Sequence, residues 1–101
     1  MTRALPLLAL LIALPAQADT LRIGSKRFTE SYILGEVLHR TVEGKAPVVH
    51  RPGLGNTGIV FAALKAGSID LYPEYTGTIA REILKVDGNP GIRDLNAALA
   101  P

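Results

Sequence analysis

The chain has 101 residues, 48% of them apolar, with eleven Lys and Arg, nine Asp and Glu, and no cysteine. The formal net charge of +2 falls to +1 over residues 19–101, where ten basic side chains stand against nine acidic ones, scattered rather than striped. Such a balance offers no long-range field for nucleic acid or an acidic membrane, and the lack of cysteine excludes a disulfide scaffold, thiolate chemistry and a lipid anchor on an N-terminal cysteine.

The first eighteen residues have the layout of a secretory signal: Arg3, an uncharged apolar stretch from Ala4 to Leu14, then the small-residue triplet Ala16, Gln17, Ala18. Eleven residues with Pro6 among them fall short of the roughly 20 that cross a bilayer. Cleavage after Ala18 and release into a periplasmic space, without a membrane anchor, are therefore expected. Residues 19–101 must then build one modest core, because a domain of that size buries only about 60–70% of the surface its unfolded chain exposes.

In chain order, Thr20 to Gly24 reads as a short strand with Leu21 and Ile23 on one face. Thr29 to Glu43 reads as a helix: Ile33, Leu34, Val37, Leu38 and Val42 recur at helical spacing, Glu30 lies in the first turn, and Gly44 stops it. Val48, Val49 and His50 form a second strand closed by Pro52 and Gly53. A second helix is expected over Thr57–Ala66, burying Ile59, Val60, Ala63 and Leu64. Ile69 to Tyr72 alternate as a third strand up to Pro73, and a third helix starts near Gly77 or Thr78 and uses Ile79, Ile83 and Leu84. A fourth is expected with Asn89 as its cap, Pro90 as its first residue, and Ile92, Leu95 and Leu99 on one face. This order predicts an α/β fold, a parallel sheet with helices on its faces. In such sheets ligands sit beyond the carboxyl ends of the strands, so Ser25–Thr29, Gly53–Gly58 and Tyr72–Thr78 should face one crevice.

Gly53, Gly55 and Gly58 match the spacing of a dinucleotide fingerprint, with Glu74 about 20 residues on where a ribose-binding acid belongs. Against an exported dinucleotide-dependent oxidoreductase stand Pro52 in the tight turn and the position of the loop, which follows the second strand rather than the first. The alternative is a glycine-rich turn feeding a helix N-terminus, whose free N–H groups suit an anionic ligand group. His39 and His50 show no sequence relation to a serine nucleophile, Glu36 and Glu43 read as the solvated side of their helix, and no His, Asp and Glu grouping has metal-ligand spacing. A binding module without cofactor or metal, not an enzyme, is therefore expected. The segment Leu71–Thr78 places two tyrosines, a carboxylate and two threonine hydroxyls at the end of a strand, a set that suits an organic cation because tyrosine faces attract ammonium groups. Tyr72 alternates toward the core, whereas Tyr75 lies beyond the proline.

These residues carry a family resemblance. Ile23-Gly-Ser-Lys-Arg-Phe-Thr-Glu30, Ile33-Leu-Gly-Glu36, Leu54-Gly-Asn-Thr57, Gly67-Ser-Ile-Asp70 and Tyr72-Pro-Glu-Tyr-Thr-Gly-Thr78 appear in order, and over Leu21 to about Leu99 the chain resembles the substrate-binding proteins of ABC importers for glycine betaine, choline and carnitine. The resemblance implies a two-lobed periplasmic-binding-protein fold that closes on a quaternary ammonium ligand, with importer permease and ATPase subunits as partners. It makes Lys26 the contact for the ligand carboxylate, Thr78 a hydroxyl donor to the same group and Tyr75 one wall of an aromatic cage, with Asn56 and Thr57 on the neighbouring rim. Lys26 as a plain solvated lysine is the other reading. Members of the family run to about two ordinary domains in length, so residues 19–101 are expected to be the N-terminal part of the first lobe, a fragment without the second lobe or the remaining cage aromatics.

Overall fold

The computed structural model describes residues 3–4 and 19–101; the expected signal lies almost wholly outside the described residues. Strand β1 (Leu21–Gly24) pairs in parallel with β2 (Val48–Arg51), in the register Leu21 to Val48 through Gly24 to Arg51. Between them runs helix α1 (Thr29–Val42), with Glu30 in its first turn, Arg40 in its last and Gly44 at φ 82° just beyond its end. A backbone reversal with positive φ is open to glycine at no steric cost, which is why the helix stops there. Helix α2 (Thr57–Lys65) follows the glycine loop, and its first turn is closed by the Asn56 side chain accepting from the Ile59 N–H at 3.1 Å.

The expected third strand is reduced to one parallel bridge, Ile23 to Leu71, on the free side of β1. Two backbone bonds hold it, Asp70 N–H to Arg22 C=O at 2.8 Å and Gly24 N–H to Leu71 C=O at 2.9 Å. The Arg22 N–H that would extend the ladder is taken instead by the Asp70 carboxylate at 2.8 Å, and Pro73 has no N–H with which to continue. Segment 69–71 nevertheless occupies the position of a third parallel strand, giving the spatial order β2, β1, then 69–71.

The third helix also departs from expectation. A single turn, α3 (Thr76–Thr78), begins before Gly77 and widens at once into a π-helix over Ile79–Ile83, with the Leu84 N–H donating to Ile79 C=O five residues back. The wider turn buries Ala80 in the region packed against α2. Helix α4 (Ile92–Leu99) starts two residues later than expected, with Gly91 rather than Asn89 at its cap position. Gly91 is extended, at ψ 170°, and its carbonyl accepts the first helical bond, from Leu95 N–H.

The core is small: among the described residues, Ile23, Val60, Ile69, Ala80 and Leu95 are its buried apolar side chains. Periodicity misplaces the buried face of α1. The buried positions are Ser31 and Gly35, Leu34 and Leu38 are half-buried, and Ile33 and Val37 are 58% and 56% exposed. Ile59 on α2 and Ile92 and Leu99 on α4 are likewise exposed rather than packed.

Arg22 and Asp70 tie the third segment to β1 a second time, through guanidinium bonds of 3.2 and 3.0 Å. Those bonds, then the Arg22 N–H, hold the Asp70 carboxyl below its ordinary value of 3.8. A depressed folded pKa contributes stability that is present above the unfolded value and lost as pH falls through the folded one. In urea melts taken from neutral pH down to about pH 2, Asp70→Asn should therefore lower stability at neutral pH and flatten its acid decline.

Candidate functional site

The loops after β1, after β2 and after segment 69–71 leave the same edge of the sheet. Sheet order reverses between β1 and 69–71, which is where an open parallel sheet forms a ligand crevice. Ser25 N–H donates to Arg51 C=O, Leu54 N–H to Ser25 C=O and Arg27 N–H to Gly55 C=O, so the first two loops are fastened to one another. Between them opens a cleft of about 500 Å³ walled by Lys26, Arg27, Phe28, Gly55, Asn56, Thr57 and Ile59. That volume lies within the roughly 300–1,000 Å³ of small-molecule sites.

Lys26 is not a solvated lysine. Its side chain is 8% exposed, and its ammonium donates to Glu74 Oε1 at 2.8 Å and to Thr57 Oγ1 at 3.1 Å, with the Phe28 ring centroid 5.3 Å away. Glu74, 5% exposed, accepts with the same Oε1 from the Tyr75 N–H at 3.1 Å. One carboxylate thus joins the loop bearing Lys26 to the loop bearing Tyr75. The second oxygen, Glu74 Oε2, is buried without a hydrogen bond, as is the Tyr72 hydroxyl. Burial first, and the Glu74 charge second, push the Tyr72 phenol above its ordinary pKa. The Glu30 carboxylate, from the first turn of α1, lies near the Tyr75 phenol and raises its pKa above the ordinary value.

Of the residues singled out from the sequence, the structure brings together Lys26, Asn56 and Thr57 around the cleft, and links Tyr75 to Lys26 through Glu74. Asn56 Oδ1 is occupied as the cap of α2. Tyr75 and Thr78 stand outside the cleft wall; Tyr75 is 38% exposed, and Thr78 closes the short turn α3. Sequence reading missed Phe28 as a wall of the cleft, Glu74 as the partner of Lys26 and Glu30 as a neighbour of Tyr75. Each lies inside a block of the resemblance, but only the fold sets one block against another.

A second polar cluster was also invisible in the sequence. Ser25 Oγ lies 2.8 Å from His50 Nε2, and His50 Nδ1 lies 3.1 Å from Glu36 Oε2, so a serine, a histidine and a carboxylate stand in line. Glu36, read from the sequence as merely solvated, has its pKa lowered chiefly by the His50 bond. An ionised carboxylate only accepts, so Nδ1 carries a proton toward it, leaving Nε2 to face the Ser25 hydroxyl. Hydrolytic work would need an approachable serine, and Ser25 is 0% exposed. The line instead pins the turn that carries Lys26 to β2 and α1. Gly35 makes room for the ring, since a Cβ there would lie 2.8 Å from His50 Cε1.

Loops from two parallel strands walling an open cleft, with a third loop tied to it through the Lys26–Glu74 pair, define a small-molecule binding module. The chain belongs to the family described as substrate binding domain of ABC-type glycine betaine transport system (OpuAC), which matches residues 19–100. Over 68 residues it is 40% identical to the glycine betaine-binding protein YehZ of Escherichia coli (strain K12), covering 65% of this chain and 22% of that protein. Over 64 residues it is 42% identical to a glycine-betaine-binding protein of Pseudomonas aeruginosa, covering 62% and 20%. The solved structure of apo YehZ from Escherichia coli superposes with a TM-score of 0.63 at 35% identity, over 70% of this chain and 26% of that one. The chain therefore spans only 20% to 26% of the length of these relatives. The dinucleotide reading gains no support, because the family is a different one and the acid it would need, Glu74, is paired with Lys26.

The helix propensity of alanine over glycine favours Gly35→Ala by about 1 kcal/mol, whereas overpacking against a held ring costs about 1–3 kcal/mol. A net loss of stability is expected in thermal or urea unfolding. Its partial recovery in the double variant with His50→Ala would place the clash at that ring.

Proposed function

We propose that residues 19–101 form part of the first lobe of a two-lobed periplasmic substrate-binding component of an ABC importer for quaternary ammonium osmolytes. Glycine betaine, as in the names of the relatives, is the reference ligand, with choline and carnitine as chemical neighbours. The observation that carries this reading is the cleft wall of Lys26 and Thr57 joined through Glu74 to the Tyr75 loop, with the Glu30 carboxylate near the Tyr75 phenol. A tyrosine face attracts an ammonium that cannot itself hydrogen-bond, while Lys26 and Thr57 offer donors to a carboxylate. Thr78, one turn beyond Tyr75, stands as a further donor on the same loop.

Delivery to permease and ATPase subunits follows from membership of an importer family, and export follows from the N-terminal layout. The family match begins at residue 19, directly after the expected cleavage point. Expression in a Gram-negative host should yield a periplasmic product whose first residue is Asp19; a product retaining residues 1–18 would count against export through a cleaved signal.

Titration of the full chain with glycine betaine, followed by calorimetry or by NMR shifts of Tyr75 and Lys26, tests the ligand class directly. Tyr75→Ala should weaken binding by about tenfold, the equivalent of 1–2 kcal/mol from one desolvated ring. Equal binding by the variant, or shifts confined to other parts of the molecule, would remove Tyr75 from the site. NADH run alongside should leave the Gly53–Gly58 resonances unmoved.

A further inference from the structure

Lys26 is the group expected to receive a ligand carboxylate, yet in this structure the position is filled from within. Glu74 Oε1 sits on the ammonium at 2.8 Å, and both side chains are more than nine-tenths buried. A second carboxylate brought to Lys26 would meet the Glu74 charge in a poorly screened interior, so the two compete for one cation.

We propose that Glu74 is a specificity-determining residue: it stands in for the ligand carboxylate on Lys26, and a zwitterionic ligand binds by displacing it toward the Tyr72 hydroxyl. This rests on the reading of the crevice as a quaternary ammonium site. Two further features of the geometry carry it. Glu74 is only half satisfied, since Oε1 takes both the Lys26 ammonium and the Tyr75 N–H while Oε2 is buried without a partner. The Tyr72 hydroxyl is also buried and makes no hydrogen bond of full geometry, yet it stands close enough to the Glu74 carboxylate for that group to hold its proton on.

A carboxylate that leaves Lys26 therefore has a donor waiting, and its departure satisfies two orphaned atoms at once. The exchange conserves charge: Lys26 trades an internal carboxylate for the ligand's, and Glu74 trades an ammonium for a phenol. Because Oε1 also holds the Tyr75 N–H, the same movement frees the loop that carries the aromatic wall. A cation without a carboxylate needs no such exchange, so Glu74 sets the balance between zwitterions and simple cations.

The test compares glycine betaine with choline, which shares the trimethylammonium head and lacks the carboxylate, on the full chain and on Glu74→Gln and Tyr72→Phe. Gln keeps an acceptor for Lys26 but removes the competing charge, and should raise the betaine-to-choline affinity ratio by about tenfold. Phe removes the landing place and should lower the ratio while leaving choline affinity unchanged. Ratios unmoved in both folded variants overturn the proposal.

Sodium acetate provides a readout that does not depend on the osmolyte reading. It should shift the Lys26 ammonium resonance at lower concentration in Glu74→Gln than in the unmodified chain, and at higher concentration in Tyr72→Phe. Equal response in all three sinks the proposal even where betaine binds. Failure of the unmodified chain to bind either osmolyte sinks the ligand reading alone, and acetate still decides the role of Glu74. Should Glu74→Gln not fold, the Tyr72→Phe arm carries the comparison by itself.

Discussion

The buried pair of Lys26 and Glu74 governs how the crevice is built. Two opposite charges lie together where water scarcely reaches them, one on the loop after β1 and the other on the loop after segment 69–71. Desolvating both is costly, and their attraction offsets that cost only because the ammonium also finds Thr57 and the carboxylate also finds the Tyr75 N–H. Three loops that would otherwise end independently are thereby brought to one place. Their convergence is a consequence of charge pairing as much as of apolar packing, since among the described residues only five apolar side chains form the buried core.

Behind this pair a second line of polar contacts steadies the same turn. Ser25 precedes Lys26 in the chain, and its hydroxyl is fixed through His50 to Glu36 on α1. The ring fits only because position 35 lacks a side chain. Serine, histidine and carboxylate in a row would suggest hydrolysis if read as chemistry alone, but with the serine fully enclosed their contribution is to the position of Lys26. The two clusters divide the labour: one holds the turn against the sheet, and the other engages the Lys26 ammonium with the Glu74 carboxylate.

The dependence of the site on loops from distant parts of the chain also explains how much of it was legible beforehand. Lys26, Asn56, Thr57 and Tyr75 emerge from motif blocks at the ends of predicted strands, and the structure gathers the first three around a cleft. Glu74 was visible as a carboxylate in a tyrosine loop and as a candidate ribose-binding acid but not as the partner of Lys26, because nothing in the order of residues says that position 74 meets position 26. Phe28 was missed for a similar reason. It precedes α1 and shows no periodicity, and only the fold turns its ring toward the Lys26 ammonium.

By itself the sequence determined the kind of elements and their order: β1, α1, β2 and α2 begin and end within a residue or two of where apolar spacing and glycine stops put them, because those signals are local. It also carried the family, through blocks of residues that need no fold to be recognised. Tertiary structure alone decided which face of α1 is buried, since Gly35 and Ser31 win that place through close approach to the sheet while Ile33 and Val37 stay outside. It decided that 69–71 is a bridge and not a full strand, because a side-chain carboxylate takes the ladder N–H. It also decided the partner of Lys26, because the electrostatics of a buried pair depend on distance and solvent exclusion, and neither is written along the chain.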